Sequence, residues 1–110
     1  MADGQHRILF LGGSADILCL PLLQDLFARL SRENVHSLLI DLSATKFINS
    51  PVWAVITLFA RRQPEKGRVA IIGMPERIRG SFEMMGLQRE LQTFPTLEEA
   101  RAAWDEGGAE

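Results

Sequence analysis

A single cysteine in 110 residues excludes an internal disulfide and any metal site built from several thiolates. Cys19 lies among Ile17, Leu18 and Leu20 and reads as a small core residue. Apolar runs are short as well, none approaching the roughly 20 residues that span a bilayer. The first residues, Met1-Ala2-Asp3-Gly4-Gln5-His6, lack the basic-then-apolar order of a signal peptide, so a cytoplasmic protein without membrane insertion is expected. Nor is there an excess of positive charge. A net charge of -2 and scattered basic residues give no nucleic-acid surface, and Arg61-Arg62 is the one adjacent basic pair.

Signatures of catalysis are missing too. The chain contains no Gly-x-Gly-x-x-Gly, no phosphate loop with Lys-Ser/Thr, no Cys-x-x-Cys and no His-Glu-x-x-His. Gly12-Gly13-Ser14 reads as a plain turn. His6 and His36 have no evident nucleophile or metal partner, and Asp41 has no second acid beside it to hold a cation. Asp41 is instead expected to accept backbone N–H bonds from the loop that follows it. The expectation is a protein that is no enzyme and carries no cofactor or metal.

What is present is an ordinary globular composition, 46% hydrophobic and 24% charged, long enough for one core. A single domain over residues 1–105 is expected, with 106–110 as a flexible tail. His6–Leu11 reads as a strand. Leu22, Leu23, Leu26, Phe27 and Leu30 recur at helical spacing between about Cys19 and Arg32, with Pro21 in the first turn. His36–Leu42 is a second strand, apolar enough to be covered on both faces. A helix follows from Pro51 to about Gln63, stopped by Pro64 and Gly67, with Val52, Val55, Ile56 and Phe59 inward. Arg68–Gly73 is a third strand. Pro75 opens a third helix with Ile78, Phe82 and Met85 on one side and Gly86 as C-cap, and Gly80 either weakens it or allows close packing. Leu87, Leu91 and Phe94 lead into a short strand. Thr96 and Glu99 match a capping box for a last helix through Trp104. This alternation predicts an α/β sandwich: a mixed, mostly parallel sheet of four to five strands with right-handed crossovers and about four helices.

The stretch Ser37–Val55 organises the rest: a buried strand, a short loop, then a helix start at Asn49-Ser50-Pro51. Spacing makes Ser50 an N-cap and Pro51 the first helical residue. The same place, with free N–H groups and the positive end of the helix dipole, would welcome a phosphate. Ser50 is thus either helix punctuation or a modified residue whose added charge repels a partner docked on the helix. The helix side bearing Ala54, Thr57, Leu58 and Arg61, with Trp53 on its flank, is less polar than a solvated face.

At these residues the chain resembles the STAS domain family of bacterial anti-sigma factor antagonists. The resemblance rests on Leu39-Ile40-Asp41-Leu42-Ser43, then Phe47-Ile48, then Asn49-Ser50-Pro51-Val52 before the apolar Trp53-Ala54-Val55-Ile56. It continues through Gly67–Gly73 to Met85-Gly86-Leu87. It implies an α/β fold without catalysis and a partner that is an anti-sigma factor and serine kinase, the nucleotide belonging to that partner. It also implies Ser50 as the phosphoacceptor whose modification breaks the complex, with Asn49, Pro51, Val52, Trp53, Ala54, Thr57, Leu58 and Arg61 as candidate partner contacts. A monomer or weak homodimer is expected. Asn49 stands where the family carries aspartate, Pro51 replaces a second hydroxyl residue and Val52 replaces glycine. The alternative is a scaffold or subunit of a larger regulatory or transporter-associated complex, in which Ser50 only caps.

Overall fold

Leu38, Leu39 and Ile40 are all but inaccessible to solvent, so the strand they form is covered on both faces. The structure, a computed structural model, describes residues 6–34, 37–63 and 68–108. Its elements are β1 (His6–Phe10), β2 (Gly13–Ala15), α1 (Leu20–Arg32), β3 (Ser37–Asp41), β4 (Thr45–Ile48) and α2 (Ser50–Arg61). There follow β5 (Arg68–Ile72), α3 (Glu76–Met84), β6 (Gln92–Phe94) and α4 (Leu97–Gly108). Short 3-10 turns occupy Ile17–Cys19 and Leu87–Arg89.

The main sheet has the order β1-β3-β5-β6, and every described pairing in it is parallel. Alternation along each strand divides the core in two. Leu38, Ile40 and Leu42 join Val69 and Ile71 beneath α1, α2 and α3, meeting Phe27, Trp53, Ile56 and Phe82 among others. On the opposite face Leu39, Ala70 and Ile72 pack against Ala100 and Trp104 of α4. Two aromatic contacts tie the three-helix layer together. Phe27 of α1 stacks on Phe59 of α2 with ring centroids 4.5 Å apart. Trp53 of α2 meets Phe82 of α3 at 5.4 Å.

The α/β architecture with four helices follows the sequence pattern, and the strands differ from it in two places. Gly13–Ala15 is a strand rather than a turn, and Thr45–Ile48 is a strand inside the expected loop. They pair with each other, parallel, as a separate two-stranded sheet, with Ser14 opposite Phe47 and Ala15 opposite Ile48. Strands of three and four residues are too short to show a period, and their partner lies some thirty positions away (about 32 for Gly13–Thr45), so only the tertiary fold reveals them.

Element ends also moved. The third helix stops at Met84, and Met85 is 44% exposed rather than inward. Gly86 does close it, in the left-handed region at φ 73°. Gly80 has open space around its Cα, so it serves no close approach. Thr96 Oγ1 accepts the Glu99 N–H at 3.2 Å, giving α4 its cap, and α4 runs past Trp104 to Gly108. Cys19 is half-buried against the main core. The stop signals Pro64 and Gly67, and His36, lie outside the described residues.

Trp53 is fully buried, whereas Leu58 on the same helix is 45% exposed. Trp53→Ala should therefore cost about 3–5 kcal/mol of unfolding free energy in urea, while Leu58→Ala should cost well under half of that. Comparable losses for the two variants would contradict this placement of α2.

Candidate functional site

Hydrogen bonds carry the chain from the main sheet into the small one and so set the start of α2. Beyond β1, Leu11 N–H donates to Asp41 C=O at 3.1 Å and Gly13 N–H to Ala44 C=O at 3.0 Å. The Thr45 hydroxyl, itself buried, donates to Leu11 C=O, and Thr45 N–H to Leu42 C=O at 2.9 Å. At the far end Asn49 N–H donates to Ala15 C=O at 3.0 Å. Each of the two short strands leads into a helix, so α1 and α2 start side by side.

Asp41 bonds to the loop that follows it, as the sequence leads one to expect. Its Oδ1 accepts from Ser43 N–H at 2.8 Å and from the Ser43 hydroxyl at 2.6 Å. Gly73, at φ 65°, passes close by; a Cβ there would lie 3.1 Å from Ser43 Cβ. Among the described residues no group of three or more His, Cys, Asp or Glu is placed to hold a metal ion. No helix among them is long and apolar enough to cross a membrane.

The helix start differs from the spacing argument by one residue. Asn49, with extended φ -88° and ψ 162°, is the N-cap; Ser50 is the first helical residue and Pro51 the second. Asn49 caps through its backbone, its C=O accepting from Val52 N–H at 3.0 Å and Trp53 N–H at 3.2 Å. Its side chain makes no cap bond, and Asn49 Oδ1 is buried without a partner among the described residues. Ser50 is exposed, and its hydroxyl is in no hydrogen bond with any described residue. The capping role is thus Asn49's, and the Ser50 hydroxyl faces water at the positive end of α2.

Of the residues expected on the contact face, three are buried. Val52 and Trp53 are wholly buried, and Thr57 is buried with its hydroxyl donating to Trp53 C=O at 2.9 Å. These three belong to the core because α2 is flanked by α1 on one side and α3 on the other, against the sheet. Trp53 meets Phe82 of α3, where an isolated helical wheel would leave it outside. Asn49 is half-buried. Pro51, Ala54, Leu58 and Arg61 remain exposed and form one stripe that begins beside Ser50.

Arg61 is held in place at the far end of that stripe. Its Nε and Nη2 donate to Glu90 Oε1 at 3.0 Å and Oε2 at 2.8 Å, a two-pronged pair that joins α2 to the segment after α3. Glu90 had no role in the sequence reading, since nothing local marks a residue paired 29 positions away. The Arg61 hydrogen bonds hold the Glu90 carboxyl below its ordinary value, against the opposing effect of desolvation. The guanidinium is raised in turn, first by the same hydrogen bonds.

Two measurements check this geometry. With no cap bond to lose, Ser50→Ala should shift the unfolding free energy by less than about 0.5 kcal/mol, against about 1 kcal/mol for loss of a serine cap. In an NMR titration Glu90 should deprotonate below the ordinary glutamate range, and Arg61→Gln should move it back up. Because its folded pKa is depressed, the contribution of this pair is present above the ordinary glutamate pKa and is lost as pH falls through the folded value. A Glu90 that titrates alike in both proteins would mean that the pair does not persist in solution.

A family model for the STAS domain matches residues 2–100. The anti-sigma-F factor antagonist RsfB of Mycobacterium tuberculosis is 24% identical over 93 residues, which cover 84% of this chain and 76% of RsfB. Among solved structures, a Thermotoga maritima protein assigned as an anti-sigma factor antagonist superposes with a TM-score of 0.85 at 18% identity, over 93% of this chain and 89% of its own. The anti-sigma factor antagonist SpoIIAA in its unphosphorylated form gives 0.71 at 16% identity, over 97% and 94%. One chain of the Acinetobacter MlaFEDB complex in an ATP-bound conformation gives 0.64 at 20% identity, over 86% and 97%. At such identities the structures speak to the fold, and that fold is the one built above from β1–β6 and α1–α4. Family model, relative and fold agree with the Leu39–Ile56 signature: the chain belongs to the STAS domain family.

Proposed function

We propose that this protein is a partner-switching regulator of the anti-sigma factor antagonist kind. It binds an anti-sigma factor that is also a serine kinase, through the stripe Ser50, Pro51, Ala54, Leu58 and Arg61. Phosphorylation of Ser50 releases that partner. The observation that carries the reading is the exposed Ser50 hydroxyl, bonded to no described residue, at the first position of α2. A hydroxyl that caps nothing can be modified without unmaking the helix. A phosphate there would add nearly two negative charges at the helix end that tolerates them best. It would stand at the head of the exposed stripe, where a docked acidic or apolar surface is repelled or desolvated at a cost. The anti-sigma-F factor antagonist name of the relative supports the same class of partner.

Pro51 and Val52, where the family carries a hydroxyl residue and glycine, fit this reading. Pro51 has no N–H to lose at the second helical position. Val52 is buried in the core, so its bulk does not stand in a partner's way. The likeness to a chain of the MlaFEDB complex favours a second reading, a constitutive subunit of a larger assembly in which Ser50 is never modified.

Mass analysis of the protein from its own cells, run beside pull-downs with wild-type and Ser50→Asp baits, separates the two. The switch predicts a phosphate on Ser50 and a kinase-type partner that wild type retains and Ser50→Asp loses, with both baits folded. An unmodified Ser50 across growth conditions, with one partner set for both baits, would leave the constitutive subunit as the function.

A further inference from the structure

Beside the exposed stripe, α1 and α2 enclose a cleft of about 260 Å³, walled by Gln24, Phe27 and Ala28 on one side and Leu58, Phe59 and Arg62 on the other. Its floor is the stacked Phe27–Phe59 pair, both buried, while Gln24, Ala28, Leu58 and Arg62 are exposed along its rim. Size decides what fits. Sites for drug-sized ligands occupy roughly 300–1,000 Å³, so this cleft suits one or two side chains better than a cofactor.

Charge narrows the occupant further. Among the described residues that line the cleft, Arg62 alone is charged and none is acidic. Arg61 is matched by Glu90, but Arg62 is in no ion pair with any described residue. The last turn of α1 adds Arg29 and Arg32 at the same end, against Glu33 at its C-cap. The complement is therefore an apolar side chain with a carboxylate close behind it. Leu58 belongs both to the cleft wall and to the stripe that begins at Ser50, so a partner lying along α2 reaches the cleft without leaving its surface.

We propose that the protein partner lays an amphipathic helix along α2, seats one apolar side chain in the α1–α2 cleft, and sets an aspartate or glutamate of that helix against Arg62. This rests on the partner-binding reading of α2 and names the chemistry the partner must carry, a helix-in-groove contact with one apolar anchor and one acid. An anchor of this kind, buried on an aromatic floor, is where interface energy usually concentrates.

The test places a photo-crosslinking amino acid, in the full chain and in its own cells, at Ala28 in the cleft, at Ala54 on the stripe, or at Arg101 on the opposite face of the sheet. The expected result is one protein trapped from both position 28 and position 54 and absent at 101. The peptide attached at 28 should carry a Leu, Ile, Met or Phe within one helical turn of an acid. With that purified partner, Arg62→Glu should weaken binding at least about fivefold, reversal of the partner's acid should do the same, and the double reversal should recover most of the loss. Arg62→Gln, which removes the charge without reversing it, should weaken binding in the same direction. Arg62 is exposed, and thermal melts establish that the variants are folded.

Trapping at 54 but not at 28 overturns the cleft and leaves the α2 face standing. So does a peptide at 28 that lacks an acid, a second copy of this chain trapped there, or an affinity for Arg62→Glu within about twofold of wild type. Silence at both 28 and 54 overturns the α2-face reading itself, and the cleft with it.

Discussion

The small parallel ladder between β2 and β4 holds the start of α2 in place. It is only three pairs long, yet it closes on the bond from Asn49 N–H to Ala15 C=O, and Ala15 itself is buried. That bond fixes where the extended chain ends and where α2 begins. Because β2 leads into α1 and β4 into α2, the same ladder fixes the two helices relative to each other. Every surface feature with a functional reading descends from this: the exposure of Ser50, the direction of the stripe along α2, and the cleft between the helices.

Position in the layer explains why α2 can be both core and surface. It lies between α1 and α3, stacked on one through Phe59 and in tilted ring contact with the other through Trp53, with Val52 and Ile56 in the core against the sheet. Only one narrow side is left to solvent. A helix flanked so closely must be apolar around most of its circumference, which is why its outer side looked insufficiently polar when read as an isolated helix. Of that outer side Trp53 and Thr57 are buried, Trp53 against Phe82 of α3 and the Thr57 hydroxyl on the helix backbone, while Ala54 and Leu58 stay exposed.

The departures from the family signature acquire a physical sense in the same way. Valine in place of glycine fills core volume under the first turn of α2. Proline stiffens that turn at a position with no donor to sacrifice. Asparagine in place of aspartate takes the cap with its backbone alone, leaving Oδ1 buried and unpaired among the described residues, at a cost of about 1–3 kcal/mol for such a group. The site therefore keeps the serine and the geometry while giving up one negative charge beside it.

Residue pattern alone settled the alternation of strands and helices, the buried central strand, the backbone bond Asp41 accepts from Ser43 in the loop after it, and the Thr96 and Gly86 helix ends. All of these are local: they depend on periodicity, on capping chemistry and on neighbours a few positions away. Tertiary structure decided the remainder. The strands at Gly13–Ala15 and Thr45–Ile48 exist because each supplies the other's hydrogen bonds across some thirty residues. Asn49 takes the cap from Ser50 because Ala15 reaches its N–H. Val52, Trp53 and Thr57 are core because α1, α3 and the sheet leave them no solvent, and Arg61 is oriented because Glu90 arrives from beyond α3. In each case the deciding atom is far away in the chain, and a local pattern carries no record of it.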